Sequence, residues 1–208
     1  MAEMAGSRPS LPPMTSATRL QADFYLRTDV LQVARDLLGK VLVTDFEGLR
    51  TAGRICEVEA YRAPDDRACH AWGNRRTPRT EVMFGPGGHA YIYLCYGIHH
   101  LFNVVTGPEG MAHAVLVRAV QPLEGVDIML RRRKMERPSP TLSNGPGTLA
   151  QALGLSTRWT GQSLLAHDSP IWIEARPDLK PPAQIVATKR IGVDYAGACA
   201  HWEWRFLG

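Results

Sequence analysis

The sequence predicts an α/β fold of the α+β type: one mixed domain in which a largely antiparallel, curved sheet carries flanking helices and a protruding β-hairpin. The 208 residues are 45% hydrophobic and 21% charged, which suits a single domain with a buried core. Short apolar runs joined by tight turns outnumber helical stretches, which favours antiparallel pairing. Because the chain shows neither repeats nor an internal linker, we expect one domain over residues 19–208, after a Pro- and Ser-rich disordered tail over residues 1–18.

The first regular element is a helix predicted from Asp29 to Leu38. Thr28 can cap its start, apolar side chains recur at helical spacing, and Gly39 ends it. This helix provides one apolar stripe for packing against the sheet.

A strand pair follows the helix. The segment KVLVTDF forms a strand, turns at Glu47-Gly48 and returns through TAGRICEVEAY. Alternation divides the end of the returning strand into two faces, one with Cys56, Val58 and Ala60 and the other with Glu57, Glu59 and Tyr61.

An irregular stretch and a hairpin come next. Residues 62–89 are rich in Pro, Gly, Asp and Asn, and loops of this length inside a compact domain are usually functional. The segment AYIYLCYGIHHLFNVV then predicts a hairpin, with strands Ala90–Tyr96 and Leu101–Val105 and a turn near residues 97–100.

The remaining elements alternate strands and helices. AHAVLVRAV predicts a strand, Pro122 is expected to open a helix over Leu123–Arg133, and a shorter helix over Thr148–Leu153 follows NGPG. Strands are predicted at IWIE, QIVATKR and WEWRFL.

Composition limits the classes of function. The net charge is +4, and almost all of the basic residues are arginine, so an anionic partner is plausible. The sequence predicts neither a metal site nor any other cofactor. Its four cysteines lack C-x-x-C spacing, and the nearby histidines and acids lack the spacing of metal ligands: His70, His99, His100, Asp65 and Asp66. No stretch has the length of a membrane span and the N-terminus lacks a signal-peptide pattern, so we expect no membrane contact.

Glu59 is the first candidate for chemistry. A carboxylate held beside apolar side chains can act as a general base near neutral pH, although the neighbouring Glu57 adds a like charge. The alternative is an edge strand whose glutamates meet water. The pattern alone leaves both interpretations open.

The second candidate is a group of aromatic side chains. Planar groups on a rigid sheet suit stacking on a planar ligand, worth about 1–3 kcal/mol per base in nucleic-acid complexes, but a cross-strand aromatic ladder would give the same pattern. The group comprises Tyr61, His70, Tyr91, Tyr93 and Tyr96.

Three further segments suit nucleic acid. The hairpin tip CYGIHH can insert a side chain between base steps, or be an ordinary turn. The loop GNRRTPR, with Arg75, Arg76 and Arg79, and the main-chain N–H groups of NGPG suit phosphate, whereas the RRRK run is explained as the solvated end of a helix.

Five of these segments together resemble one family. EVEAY, ACHAW, RRTPRTEVMF, AYIYLCYGIHHLFNVV and VLVRAVQPLEG are similar, in order and spacing, to the alkyladenine (N-methylpurine) DNA glycosylases, from about Phe24 to Phe206. The resemblance implies one mixed α/β domain with a protruding hairpin. It also implies a monofunctional glycosylase of base excision repair, which flips damaged purines out of duplex DNA and hydrolyses the N-glycosidic bond without a cofactor.

The resemblance also implies roles for single residues. Glu59 matches the general base that activates water, and Arg118 and the main-chain carbonyl of Ile191 match groups that hold this water. The implied base-binding residues are Tyr61 and His70, which sandwich the base, Ala68, Tyr93 at the pocket edge, and Asn103, which crowds the amino group of guanine.

DNA contacts are expected around these residues. Tyr96 matches the wedge that fills the gap left by the flipped nucleotide. The other expected contacts lie on the hairpin tip, the basic loop and the NGPG segment: Ile98, His99, Arg75, Thr77, Arg79, Gly147 and Thr148. Two departures bear on DNA affinity: the tip residues Ile98-His99-His100 are less bulky and hydrophobic than in the best-known members, and Thr148 stands where some members have lysine.

The expected partner is double-stranded DNA that contains damaged purines, bound by a monomer with no obligate protein partner. The expected location is cytoplasmic in a bacterium and nuclear in a eukaryote. Rival interpretations are a glycosylase with lyase activity, which would need an amine near the site, a non-catalytic nucleic-acid-binding module, and a small-molecule hydrolase.

Overall fold

The computed structural model describes residues 17–208. In this range nine strands join one sheet: β1 Thr18–Arg19, β2 Val41–Phe46, β3 Leu49–Arg62, β4 Ala90–Cys95, β5 His99–Thr106, β6 His113–Glu124, β7 Ile171–Ala175, β8 Val186–Thr188 and β9 Arg205–Leu207. The α-helices are α1 Ala22–Tyr25, α2 Val30–Leu37, α3 Val126–Arg133 and α4 Pro146–Leu153.

The sheet is antiparallel and centred on the long strand β3. Its order is β1-β7-β2-β3-β6-β5-β4, while β9 pairs with β8 and with the second half of β3. The first half of β3 pairs with β2, and β6 runs along its other edge. The predicted mixed domain with a largely antiparallel sheet and flanking helices is therefore confirmed.

The main core lies between the sheet and two helices. Leu37 of α2 and Leu149 of α4 are fully buried in one cluster with Phe102 of β5 and Phe206 of β9. Each such side chain contributes roughly 1.5–3 kcal/mol through its removal from water. This packing fixes one face of the sheet, and smaller buried clusters cover parts of the other.

Helix α2 starts at a different N-cap residue from the one predicted. The carboxylate of Asp29, rather than Thr28, accepts the N–H groups of Leu31 and Gln32, at 3.0 and 3.1 Å. Asp29 is the N-cap and has extended backbone, so its oxygen reaches the free donors of the first turn. The predicted Gly39 stop is confirmed, since its φ of +83° suits glycine.

The predicted helix start at Pro122 is wrong. Strand β6 continues through Pro122, which pairs with Gly53 at an irregularity of the ladder, a position where a strand tolerates proline. A Cβ on Gly53 would lie 2.6 Å from Cγ2 of Val120, so glycine permits this close approach. The chain turns only at Gly125, and α3 follows.

A bulge in β3 changes the predicted apolar face. The pairing with β6 shifts on both sides of Glu57, so Ile55 rather than Cys56 joins Val58 and Ala60 in the main core. Beyond the bulge the alternation is regular, and Glu59 lies on the face opposite Val58. The placement of Cys56 on the apolar face is therefore wrong.

The hairpin turn lies earlier than predicted. Strand β4 ends at Cys95, and residues 96–98 form the turn before β5 starts at His99. Tyr96 and Gly97 have φ of +51° and +74°, and the N–H of Ile98 donates to the carbonyl of Cys95 at 3.1 Å. Tyr96 is thus in the turn itself, not in the strand.

The remaining expectations have mixed outcomes. Residues 62–89 are irregular as predicted, with single 3-10 turns at Trp72–Asn74 and Glu81–Phe84. Residues 1–16 of the predicted tail lie outside the described range, and Thr18 at its end pairs with Ala175. Within the described range, no helix combines the length and apolar character that a membrane crossing requires.

Candidate active site

Four neighbouring strands place their polar and aromatic side chains in register. Tyr91 of β4 pairs with Asn103 of β5, Asn103 with Leu116 of β6, and Leu116 with Glu59 of β3. Adjacent strands lie about 4.8 Å apart, so this row spans roughly 14 Å. Two residues further along the same pair of strands, Tyr61 pairs with Ala114.

This row forms the floor of a cleft of about 410 Å³, a size typical of ligand pockets. Its walls come from the loop after β3, the hairpin, the start of α4 and the segment after β8. The predicted residues that line it are Glu59, Tyr61, Ala68, His70, Tyr93, Tyr96, His99, Asn103, Arg118, Gly147, Thr148 and Ile191.

Glu59 is fully buried at the base of the cleft and is held by two hydrogen bonds and one ion pair. Its Oε1 accepts the main-chain N–H of Ile191 at 2.8 Å and lies 3.2 Å from Nη1 of Arg118. Its Oε2 accepts the hydroxyl of Tyr61 at 2.7 Å. Burial, and then the charge of Glu59, raise the pKa of Tyr61 well above its usual value, so the phenol keeps the proton that it donates.

Arg118 joins the two glutamates of β3. Its Nε donates to Oε1 of Glu57 at 2.7 Å, and the same oxygen accepts Nε of Arg205 at 2.6 Å. Glu57 therefore fixes the guanidinium that faces Glu59, and it does not itself line the cleft. The two carboxylates of the predicted polar face are thus separated into one inside the cleft and one behind it.

His70 is held at both ring nitrogens. Nε2 lies 3.2 Å from Nη2 of Arg79, and Nδ1 lies 2.7 Å from the hydroxyl of Tyr91. A guanidinium only donates, so Nε2 accepts and Nδ1–H donates to Tyr91. Tyr93 meets the imidazole edge-to-face, with ring centroids 4.6 Å apart.

We expect His70 to remain neutral throughout the physiological range. Burial, and then the positive charge of Arg79, lower its pKa to about 4. An NMR titration should show the His70 ring protonating near pH 4, whereas in Arg79→Gln the pKa should rise but stay below the ordinary value of about 6.5, because burial is the larger cause. His113, whose pKa is lowered chiefly by its own burial, is the internal control and should not change. A titration of His70 near 6.5 in the parent protein would contradict this arrangement.

Asn103 is oriented by main-chain carbonyls. Its Nδ2 donates to the carbonyls of Tyr91 and Leu101, at 3.0 and 3.3 Å, and the side chain is buried. The amide is therefore fixed in one orientation, with Oδ1 as its remaining polar atom on the cleft floor.

The hairpin tip exposes two apolar side chains beside the cleft. Tyr96 is 87% and Ile98 is 71% exposed, and of the two only Tyr96 lines the cleft. Positive φ is uncommon at a non-glycine residue, and at Tyr96 it belongs to the tight turn, as it does at Glu47 in the turn between β2 and β3.

The start of α4 packs against the hairpin. A Cβ on Gly147 would lie 2.9 Å from the ring of His99, so glycine lets the two segments touch. The Thr148 hydroxyl accepts the N–H of Gly145 at 3.0 Å and donates to the carbonyl of the same residue at 2.9 Å. Thr148 thus shapes the first turn of the helix.

The basic loop lies beside the cleft rather than in it. Its residues Arg75, Thr77 and Arg79 do not line the cleft, and neither does Ile98 of the hairpin tip. Arg75 and Arg79 are exposed, and the Arg79 guanidinium lies over the ring of Tyr93, 4.8 Å from its centroid. Thr77 bonds Thr80 instead, which fixes the loop.

Sequence reasoning missed part of the lining. Leu101 and Leu116 lie two residues from the predicted Asn103 and Arg118 on the same strands, and Ala114 lies two residues from Leu116, so period-two alternation could have found them. Tyr195, in the 3-10 segment after β8, had no such signal. Within the described range, no three His, Cys, Asp or Glu side chains form a group that could hold a metal ion.

Comparisons with known proteins identify the family of this chain. Residues 23–208 match the model of the methylpurine-DNA glycosylase family. A protein from Chlamydia abortus, named as a 3-methyladenine DNA glycosylase, is 50% identical over 189 residues, which cover 90% of this chain and 97% of that protein. Proteins of the same name from Chlamydia pneumoniae and Bacillus cytotoxicus are 48% and 46% identical, over 90% and 88% of this chain and 94% and 92% of theirs.

These matches confirm the predicted enzyme class, a hydrolase that acts on N-glycosyl bonds, and its association with DNA repair. They extend over almost the whole described range. The chain belongs to the methylpurine-DNA glycosylase family.

Proposed function

We propose that the enzyme flips an alkylated or otherwise damaged purine out of duplex DNA into the cleft and hydrolyses its N-glycosidic bond with a water activated by Glu59. The observation that carries this proposal is a fully buried carboxylate at the base of a cleft walled by aromatic rings. A groove that only bound DNA would gain nothing from a carboxylate near phosphates.

The hydrogen bonds of Glu59 suit a general base. A carboxylate has about four acceptor sites; hydrogen bonds from Ile191 and Tyr61 use two, and Arg118 adds an ion pair to Oε1. Acceptor capacity therefore remains for a water proton, while these three contacts fix the direction of the carboxylate. In this proposal the water attacks the anomeric carbon of the sugar, and the carbonyl of Ile191 and the guanidinium of Arg118 help to hold it.

The aromatic walls suit the flipped base. Tyr61 and His70 line the cleft and make no ring contact with each other in the described range, as a base between them requires. Because His70 uses both ring nitrogens on Tyr91 and Arg79, it offers the base a flat, neutral surface. An alkylated purine carries positive charge on its ring, so electron-rich aromatic faces favour it and it is a good leaving group.

The hairpin can stabilise the duplex from which the nucleotide is flipped. Extrusion of a nucleotide costs a few kcal/mol of unstacking and unpairing, less for a damaged base. Tyr96 can offset this cost by filling the gap in the stack, and Arg75 can bind a neighbouring phosphate.

Replacing Asn103 with serine should increase the excision of undamaged guanine, by about tenfold. Guanine has an exocyclic amino group that the buried, oriented amide would crowd, and the smaller side chain removes this clash. The measurement is free guanine released from an unmodified duplex, with release of 7-methylguanine as the control for activity. An unchanged guanine rate would reject the crowding role of Asn103.

A release assay tests the proposed function directly. The protein is incubated, with a metal chelator present, on duplexes that each hold one modified purine, and free base is detected. Release of base without strand cleavage supports a monofunctional glycosylase. Binding without release would overturn the proposal, and trapping of a DNA adduct by borohydride would indicate a lyase, although none of the four lysines lines the cleft.

A further inference from the structure

A buried ion pair lies directly behind the wall of the cleft. Arg190 donates to both carboxylate oxygens of Asp66, with Nη1 2.5 Å from Oδ2 and Nη2 2.8 Å from Oδ1. Neither side chain is exposed to solvent, and neither residue lines the cleft. Burying two charges costs free energy, and a pair of well-packed apolar residues often stabilises a fold equally well. The ion pair therefore needs an explanation beyond packing.

The Asp66 carboxylate is tied to the wall that carries His70. Besides Arg190, its Oδ1 accepts the main-chain N–H of Ala68 at 3.0 Å. Ala68 lines the cleft, two residues before His70. Asp66, one of the acids considered above as a metal ligand, is therefore the partner of an arginine.

The Arg190 guanidinium also bonds main-chain carbonyls of strand β3 and of the 3-10 segment after β8. Nη1 also donates to the carbonyl of Ala60, at 2.8 Å, and Nη2 to that of Cys199, at 3.1 Å. The next residue, Ile191, gives its N–H to Glu59. The ion pair thus connects the wall at Ala68 and the segment after β8 to the strand that carries Glu59.

The guanidinium also lies against Tyr61. Its Cζ is 4.8 Å from the centroid of the Tyr61 ring and 5.3 Å from that of Trp204. Tyr61 lines the cleft whereas Arg190 does not, so the cation covers the ring face turned away from the cleft. A base stacked on the other face would have this cation within Coulomb range, in a region with little water.

We propose that Asp66 is a specificity-determining residue, because it cancels the charge of Arg190 behind Tyr61 and so lets a cationic damaged purine stack there. This inference rests on the proposed function. A purine alkylated on a ring nitrogen is cationic, whereas a deaminated purine such as hypoxanthine is neutral. An uncompensated cation behind the ring would repel the first and not the second.

Two variants with opposite charge changes test the inference. The quantity measured is the kcat/KM for a duplex with 7-methylguanine divided by the kcat/KM for a duplex with hypoxanthine. If the parent does not release hypoxanthine, the value for hypoxanthine is replaced by the affinity for a duplex with ethenoadenine, a neutral, fluorescent base. Asp66→Asn leaves Arg190 unpaired, and the ratio should fall on the order of tenfold. Arg190→Gln leaves Asp66 unpaired, and the ratio should rise.

The double variant Asp66→Asn/Arg190→Gln should return the ratio towards that of the parent, because the buried charge is again zero. A purely structural role predicts lower rates for both bases and an unchanged ratio. Each ratio compares two bases on one protein sample, so the effect of a smaller folded fraction cancels from the ratio. If Asp66→Asn does not fold, Arg190→Gln and the double variant provide the test. Unchanged ratios, or shifts in the same direction for both single variants, would overturn the inference, whereas a parent that releases neither base would refute the proposed function instead.

Discussion

The Glu59→Gln variant should bind a duplex with a damaged purine as tightly as the parent enzyme, yet release the base about a thousandfold more slowly. Removal of a general base costs roughly 10²- to 10⁴-fold in rate. Glutamine has the size of glutamate, and its carbonyl oxygen can still accept the N–H of Ile191. What it loses is the ability to take a proton from water. Single-turnover release and a binding titration on the same duplex separate the two effects.

Glu57→Gln is the matched control for this variant. Glu57 lies two residues earlier on the same strand and bonds Arg118 and Arg205, but it does not line the cleft. Its loss should weaken the hold on Arg118 and slow base release by only about tenfold. Full activity of Glu59→Gln, or equal losses in the two variants, would remove Glu59 as the base.

Replacing Tyr96 with glycine should weaken binding to a damaged duplex about tenfold to a hundredfold and leave release from single-stranded DNA nearly unchanged. The exposed ring is expected to replace the stacking of the flipped base, a contribution of about 1–3 kcal/mol, and a single strand has no gap to fill. Because Tyr96 has φ +51°, glycine fits its backbone without strain and the thermal midpoint should not fall. Binding and release are therefore tested in a protein that is at least as stable as the parent.

Leu49→Ala is the control for a general effect of removing an exposed apolar side chain. Leu49 is 43% exposed beside the turn between β2 and β3, and it does not line the cleft. This variant should bind duplex and single-stranded substrates as the parent does. An equal loss on both substrates for Tyr96→Gly would count against the wedge.

Local patterns predicted most of the fold. The alternation of TAGRICEVEAY and AYIYLC, with turn residues between strands, was sufficient for the antiparallel pairs. It failed where an irregularity in a ladder decided the outcome: the bulge beside Glu57 moved Cys56 off the apolar face, and the close contact at Gly53 kept Pro122 within a strand. Neither irregularity has a signature in one strand alone, because each depends on the partner strand.

The site was predictable to the extent that it follows strand faces. Glu59 and Tyr61 share a face because of the pleat, and the register then adds Asn103 and Leu116. The pair of Asp66 and Arg190 was not predictable, since the two residues are 124 positions apart and no short motif joins them. The resemblance to a known family supplied roles that pattern alone left open.

The central claim is that the cleft admits a flipped purine with Glu59 next to its sugar. The most direct measurement is a crystal structure of the Glu59→Gln variant bound to a duplex that holds one damaged purine. The account predicts the base between Tyr61 and His70, the Tyr96 ring in the gap of the stack, and the side chain at position 59 beside the anomeric carbon. A base that remains stacked in the duplex above an empty cleft, or one bound with its sugar far from position 59, would contradict it.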